Sequence, residues 1–275
     1  MIAKPPETVT QQIAVVLGAS GSGQSLLKVL QKLLGRDTGI ELQSVFIEDE
    51  ELLRAAALPF VKELCRLTLS VREIHDTRFD RAIAVRMRTA RSAFDGLARR
   101  MGIPHTFRTA QGPTLRLLRE TAYSANITVF EPSRKLSAPA TGQAAHSRFT
   151  ARRIVVVIDD VLTGDEALLT AALLAKGQTD RISILLRAET QAELDAMNQM
   201  ISELLPARPT RVLLLQDHGI QQLIASVRAE RADMLVIGAS EEMLQSESLG
   251  SLLKQLECPT CLVRPLDSAT VESAS

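Results

Sequence analysis

The chain has 275 residues, 45% of them hydrophobic, which is enough for one large domain or two smaller ones with real cores. Its 32 basic and 32 acidic side chains cancel, and one Tyr, seven Phe and no Trp leave few rings for base stacking. We therefore expect no nucleic-acid partner.

The cysteine content and the lengths of the apolar runs indicate the cellular compartment of the protein. Three cysteines, Cys65, Cys258 and Cys261, are too few for a disulfide scaffold and suit a reducing environment. No apolar run approaches the roughly 18 residues of a membrane span, and residues 1–7 lack the apolar core of a signal peptide. We expect a cytoplasmic protein without a membrane partner.

From the amino end onward, the chain presents short, β-branched apolar runs that are typical of strands buried on both faces of a parallel sheet. The runs form matching pairs in the two halves: 13–18 with 154–159, 40–47 with 181–186, 104–109 with 210–215, and 127–130 with 234–237. Amphipathic segments separate them, so each half predicts the order β-α-β-α-β-α-β. The predicted fold class is α/β, with two tandem open parallel sheets of the doubly wound, nucleotide-binding-like kind.

The two halves match closely enough to indicate an internal duplication. Aligning Gly112 with Gly219 also places Asn126 over Asp233 without a gap. Segment 48–103 is longer than an ordinary crossover and predicts a helical insertion, and a Pro/Ser/Gly/Ala-rich stretch replaces the last helix and fifth strand of the first half. We predict a first domain at 1–130, a linker at 131–150, a second domain at 151–266 and a tail at 267–275.

An apolar stripe at helical spacing indicates one long helix in the insertion. The stripe consists of Phe79, Ile83, Met87, Ala90, Phe94, Leu97 and Met101, and arginines from Arg78 to Arg100 occupy the remaining surface. Two interpretations stay open. The helix packs on its own sheet and leaves a solvated basic face, or it covers the other half or a second subunit.

The segment 249–264, LGSLLKQLECPTCLVR, predicts a short helix followed by a closing strand. Together with the stretch 46–60 of the first half, it resembles the universal stress protein family in tandem form. The resemblance implies an open parallel sheet, frequent dimers, and ATP binding in some members. It leads us to expect a homo-oligomer or an internal pseudo-dimer.

ATP-binding members of that family carry an acid at the end of the first strand and a loop of the form G-x2-G-x9-G-[ST]. The resemblance places these features on Asp159, Gly238, Gly250 and Ser251. Glu241 stands at the second glycine, and eight residues rather than nine separate it from Gly250. A like-charge contact with a phosphate costs on the order of 1–3 kcal/mol at an effective dielectric near 20. The alternative is structural: Gly238 ends a strand, and Gly250 with Ser251 caps a helix.

A second candidate phosphate loop spans 18–25 in the first half, between a predicted strand and a helix. Gln24 stands where a phosphate-loop lysine is needed, so the point charge that holds the β- and γ-phosphates is missing and nucleotide hydrolysis is disfavoured. Backbone N–H groups at a helix start still suit weak anion binding. The candidate residues are Gly18, Ser20, Gly21, Ser22 and Gly23.

Cys258 and Cys261 form a CxxC motif, but a helix ends before it and a strand follows, so the helix dipole has the wrong sign for a redox thiol. We expect buried structural cysteines. The four histidines are scattered, and we predict no metal.

With no nucleophile–base pair in the sequence, we predict no enzyme activity. The expected function is a non-catalytic stress-response module, a regulator or sensor that binds an adenine nucleotide such as ATP in its second half. A structural interaction protein with vestigial sites and a slow nucleotide hydrolase are the alternatives.

Overall fold

One nine-stranded sheet runs through both halves of the chain. The computed structural model describes residues 11–18, 23–35, 39–56, 58, 62–64, 71–73, 76–131, 153–205, 207, 209–215, 219–256 and 258–265. The first half forms β1 (Gln11–Gly18), α1 (Gln24–Leu33), β2 (Ile40–Asp49), α2 (Glu50–Ala56), β3 (Lys62–Leu64), β4 (Val71–Glu73), α3 (Asp76–Met101), β5 (His105–Gly112), α4 (Thr114–Ser124) and β6 (Ile127–Phe130). The second half forms β7 (Ile154–Ile158), α5 (Val161–Leu174), a 3-10 turn (Thr179–Arg181), β8 (Ile182–Leu186), α6 (Gln191–Leu204), β9 (Arg211–Leu214), α7 (Ile220–Ala229), β10 (Met234–Gly238), α8 (Glu241–Gln245), α9 (Ser248–Gln255) and β11 (Thr260–Val263).

The strand order is β5-β2-β1-β6-β11-β10-β7-β8-β9. Every neighbouring pair is parallel except β6 with β11, where the two halves meet antiparallel. The predicted α/β class with open parallel sheets is confirmed. Because β11 pairs with β6 as well as with β10, it stands where a fifth strand of the first half would lie. Residues 132–152 lie outside the described residues, so the linker and the domain boundaries stay predictions.

The two halves repeat a side-chain contact that the sequence alignment pairs. Asn126 Oδ1 accepts a hydrogen bond from the N–H of Gln12 at 2.8 Å, and the N–H of Asn126 donates to the Gln12 carbonyl at 2.9 Å. In the second half, Asp233 Oδ2 accepts from the N–H of Arg153 at 3.2 Å, and the N–H of Asp233 donates to the Arg153 carbonyl at 2.9 Å. In the first half the contact joins the start of β6 to the start of β1, and in the second half it joins the start of β10 to the start of β7.

Helices cover both faces of the sheet, which explains why its central strands are apolar throughout. Strand β7 shows this directly: Ile154, Val156 and Ile158 pack into the layer of α1, α3, α5 and α6, while Val155 and Val157 pack into the layer of α4, α7, α8 and α9. All five side chains are fully buried. Such two-sided burial is the normal environment of a parallel strand.

The insertion between β2 and β5 is more than a helix. Strand β2 runs through Asp49, beyond the predicted start at Glu48, and the short antiparallel pair β3–β4 precedes α3. Helix α3 packs on β2, β5 and α1, with Phe94 and Leu97 buried. It therefore covers strands of the first half. Among its described side chains, the exposed arginines are Arg81, Arg86, Arg88, Arg91, Arg99 and Arg100.

No helix in the described part of the chain combines the length and the apolar character that crossing a bilayer requires.

Candidate functional site

The crevice predicted for the second half lies at the carboxyl ends of β7 and β10. These strands are parallel neighbours, and Val157 is in register with Ile237, so Asp159 and Gly238 both follow the paired part of the strands at one edge of the sheet. Strand order reverses here, because β8 lies on the other side of β7. In open α/β sheets this is the usual place for a ligand.

Gly238 is required by packing against helix α5. A Cβ atom at this position would lie 2.5 Å from Thr163 Oγ1, 2.8 Å from the Thr163 carbonyl oxygen and 2.9 Å from its carbonyl carbon. Two of these atoms belong to the backbone, so they cannot move unless the first turn of α5 moves with them. The glycine at the end of β10 therefore permits a close approach of helix to strand, whatever else it does.

Asp159 is engaged in an ion pair. Its Oδ2 accepts a hydrogen bond from Arg187 Nη1 at 3.0 Å, and the two side chains are only 20% and 23% exposed. Arg187 directly follows β8, and its own N–H donates to the Ile158 carbonyl at 3.0 Å, which fixes the arginine beside the end of β7. The acid that the family resemblance assigned to a nucleotide contact thus already faces a cation of the chain.

The helices that begin at this crevice are capped by the chain itself. Asp160 accepts from the Thr163 N–H at 2.8 Å and from the Thr163 hydroxyl at 2.7 Å, so it caps α5. Ser240 Oγ accepts from the Met243 N–H at 3.2 Å and caps α8, whose first turn carries two glutamates. Carboxylates at helix N-termini satisfy the positive end of the dipole that would otherwise attract a phosphate.

Gly250 and Ser251 lie inside helix α9. The helix begins at Ser248 with Glu247 as its N-cap residue, so the prediction that Gly250 and Ser251 open the helix is wrong by two residues. The N–H of Ser251 donates to the Glu247 carbonyl at 3.2 Å, and a Cβ on Gly250 would lie 3.1 Å from Leu115 Cδ2. Gly250 therefore faces α4 of the first half.

The corresponding edge of the first half also carries a carboxylate. Gly18 ends β1, and Gly23, with φ 66°, is the N-cap residue of α1. The predicted loop residues Ser20, Gly21 and Ser22 lie outside the described residues. Glu131, which the duplication aligns with Gly238, follows β6. Its Oε1 accepts from Ser25 Oγ in the first turn of α1 at 3.0 Å.

A chain of three polar side chains resembles a hydrolytic triad. His105 Nδ1 lies 2.7 Å from Asp95 Oδ1, and His105 Nε2 lies 3.1 Å from Ser44 Oγ. Ser44 is fully buried within β2, and the His105 side chain is only 5% exposed. A substrate cannot reach the serine oxygen, so the contact ties α3 to the sheet.

The CxxC cysteines are buried, as predicted. Cys261 lies in β11 and is fully buried, and Cys258 is 8% exposed. Burial raises the pKa of the Cys261 thiol, which opposes the thiolate needed for redox chemistry. The described residues hold no group of three or more His, Cys, Asp or Glu side chains arranged to bind a metal ion.

The sequence analysis did not identify two residues that lie at the carboxyl ends of the strands, Arg187 and Glu131. Both directly follow sheet strands, as Asp159 does. Asking which polar residues follow every strand, and not only the first and fourth of the second half, would have found them.

Comparison of the sequence with protein-family models finds no match, and comparison with curated proteins finds none. Among solved structures, a universal stress protein from Archaeoglobus fulgidus DSM 4304 is similar, with a TM-score of 0.50 and 13% identity over 92% of this chain and 97% of that chain. A functionally unknown protein from Pseudomonas aeruginosa PAO1 gives a TM-score of 0.46 and 10% identity over 94% of each chain. The first likeness shows the fold, and the predicted universal-stress-type fold is confirmed.

Proposed function

We propose that this chain is a non-catalytic, stress-response regulatory protein of the universal stress type, working in the cytoplasm through contacts with other proteins. The observation that carries the proposal is that the groups available for a nucleotide already have partners within the chain. Asp159 pairs with Arg187, and the N-termini of α5 and α8 are capped. A nucleotide would have to displace the ion pair and approach Glu241 and Glu242.

Thermal denaturation with and without ATP tests this proposal. A ligand present at 100 times its Kd stabilises the native state by about 2.7 kcal/mol, which is a clear shift in Tm. We expect no shift in millimolar ATP, ADP or AMP, with or without Mg²⁺. An increase in Tm that saturates with nucleotide concentration would contradict the proposal that the groups at the crevice are already occupied by partners within the chain.

An adenine-nucleotide sensor is the second candidate, and one arrangement favours it. Asp159 and Gly238 keep the neighbouring positions that the family resemblance assigns to nucleotide contacts, and Arg187, once released, would be a cation for phosphate. In that case Asp159→Asn abolishes the ATP-induced shift. Asp195→Asn, on the exposed face of α6, is the matched control and leaves the shift unchanged.

A slow nucleotide hydrolase would require phosphate release that depends on the same loop. Ser251→Ala would then abolish the release. Ser202→Ala, a serine exposed on α6, would not. We expect neither the wild-type protein nor these variants to release phosphate above the rate in buffer, because Asp159, the acid at the end of β7, is already paired with Arg187.

A further inference from the structure

Helix α3 carries a row of arginines on its outer side. Arg81, Arg88 and Arg99 are all exposed, and at about 100° and 1.5 Å per residue they lie within an arc of about 20° and span about 27 Å along the helix axis. The buried side chains of Phe94 and Leu97 lie on the opposite side of the helix. The three arginines, the arginine row, therefore face solvent along most of the helix.

The arginine row has no carboxylate partner within the described part of the chain, because none of its three guanidinium groups forms an ion pair there. Arg88 Nε and Arg99 Nε each donate instead to a backbone carbonyl of α3 at 3.3 Å. Asp95 lies beside the row on the same helix, but its carboxylate faces His105 Nδ1 at 2.7 Å and Arg91 Nε at 3.8 Å. The charges of the row are thus left to solvent.

The charge of this helical layer changes sign between the two halves of the chain. Helix α3 has seven arginines and three aspartates, and α1, which packs on it, has two lysines and no acid. In the second half, α5 has two acids and no basic residue, and α6 has three acids and no basic residue. Because the whole chain has no net charge, the arginine row reflects a separation of charge and not a general excess of basic residues.

This separation of charge favours a partner that lies along α3 alone. A bilayer of anionic lipids is a flat surface that would also meet the acidic helices α5 and α6, and Val85 is the one large apolar side chain that α3 exposes among its described residues. The scarcity of aromatic rings for stacking disfavours a nucleic acid. An acidic protein segment can follow a single helix, and its carboxylates accept paired hydrogen bonds from guanidinium groups.

The acidic helix α6 of a second copy does not match the arginine row. Glu193 and Asp195 point about 160° apart around the axis of α6, whereas the row needs its carboxylates on one side. Both acids also have partners within their own helix region: Glu193 completes a capping box with Thr190, and Asp195 Oδ1 accepts a hydrogen bond from Gln191 Nε2 at 2.8 Å. The row therefore fits an acidic segment of another protein better than a second copy of this chain.

We propose that the outer face of α3 binds an acidic segment of another protein, whose carboxylates pair with Arg81, Arg88 and Arg99. Val85, which is 48% exposed, lies beside the row between the first two arginines and adds an apolar contact. The inference rests on the proposed function, a protein that acts through contacts with other proteins, and assigns the surface and the chemistry of one such contact.

Fluorescence anisotropy of a labelled peptide of twenty glutamates tests this contact. An extended chain spans at most about 3.3 Å per residue, so this peptide reaches along the whole row, whereas a peptide of four glutamates reaches about 13 Å and meets two arginines at most. We expect saturable binding of the long peptide in about 20 mM NaCl and much weaker binding in about 300 mM NaCl, because salt screens exposed charges. We expect a Kd at least roughly tenfold higher for the short peptide.

Substitution of the row shows where the peptide binds. Replacing one arginine of the row by glutamine raises the Kd roughly twofold to fivefold, and replacing all three raises it at least roughly tenfold. A control variant removes the same charge from exposed arginines outside α3, and we expect its Kd to stay within about twofold of the wild type. The control substitutions are Arg116→Gln, Arg211→Gln and Arg231→Gln. Circular dichroism confirms that both triple variants are folded.

Several results would overturn the proposal. One is no binding of the long peptide at about 200 μM protein, and another is equal binding by the wild type and the variant without the row. Tighter, row-dependent binding of a strand of twenty thymidines or of phosphatidylserine vesicles would replace the acidic protein segment as the partner. Self-association of the wild type that the row substitutions abolish, measured by sedimentation velocity, would do the same. The peptide experiment contains no nucleotide, so its failure is distinguishable from an ATP-induced increase in Tm, which contradicts the proposed function.

Discussion

Gly238→Ala separates a packing role from a ligand-binding role for the glycine at the end of β10. The new methyl carbon would lie within 3.0 Å of three atoms of Thr163, closer than real Cβ contacts. Relief requires a shift of the first turn of α5, which packs on β7, β10 and β11. Overpacking of this kind costs about 1–3 kcal/mol, so we expect the free energy of unfolding to fall by that amount without any ligand present.

Urea unfolding followed by circular dichroism measures this loss. Gly250→Ala is the matched control, because its Cβ would meet only the flexible Leu115 Cδ2 at 3.1 Å and alanine is favoured over glycine in a helix by about 1 kcal/mol. We expect the control to be unchanged or slightly stabilised. Adding Thr163→Ala to Gly238→Ala should not restore stability, since the carbonyl group remains. A Gly238→Ala protein within about 0.5 kcal/mol of the wild type would refute this reasoning.

Three further variants probe the caps, the thiols and the contact between the halves. Asp160→Ala removes the N-cap of α5 and should lower the free energy of unfolding by about 0.5–2 kcal/mol in urea. In a protein that carries both Cys65→Ser and Cys258→Ser, native-state labelling of the Cys261 thiol should stay negligible from pH 6 to 9 and become complete in urea, because Cys261 is fully buried and burial raises its pKa; rapid native labelling would contradict this. Arg119, in α4, donates to the last carbonyls of α8 at 2.6 and 3.1 Å. Arg119→Met should therefore cost about 1–2 kcal/mol, whereas Arg116→Met, an exposed arginine of the same helix, should cost less than about 0.5 kcal/mol.

The central strands were predictable because burial on both faces restricts them to short runs of apolar, mostly β-branched side chains. Ile154–Ile158 was predicted within one residue, since a run of β-branched side chains between two helical layers has few other uses. The equivalence of Asn126 in the first half and Asp233 in the second was also predictable. In both halves the same number of residues separates this position from the glycine before the preceding helix, Gly112 or Gly219. Both positions make the same contact in the structure.

The partners of the site residues were not predictable from local sequence. Arg187 and Asp159 are 28 residues apart and meet only because β8 and β7 are neighbours in the sheet. The approach of Thr163 to Gly238 likewise depends on how α5 crosses β10. The start of α9 was misplaced because Gly250 and Ser251 resemble a cap, while the chain turns into the helix at Ser248.

The shared strand β11 decides which surfaces remain for association. Because it pairs with β6 on one side and β10 on the other, neither half has a free strand edge at the centre of the sheet. The remaining edge strands are β5, which carries exposed Arg108 between Phe107 and Thr109, and β9, which is four residues long and exposes Val212 and Leu214. Charged or short edge strands resist pairing with another chain. Pairing with another chain is therefore disfavoured at β5 by the charge of Arg108 and at β9 by the short length of the strand.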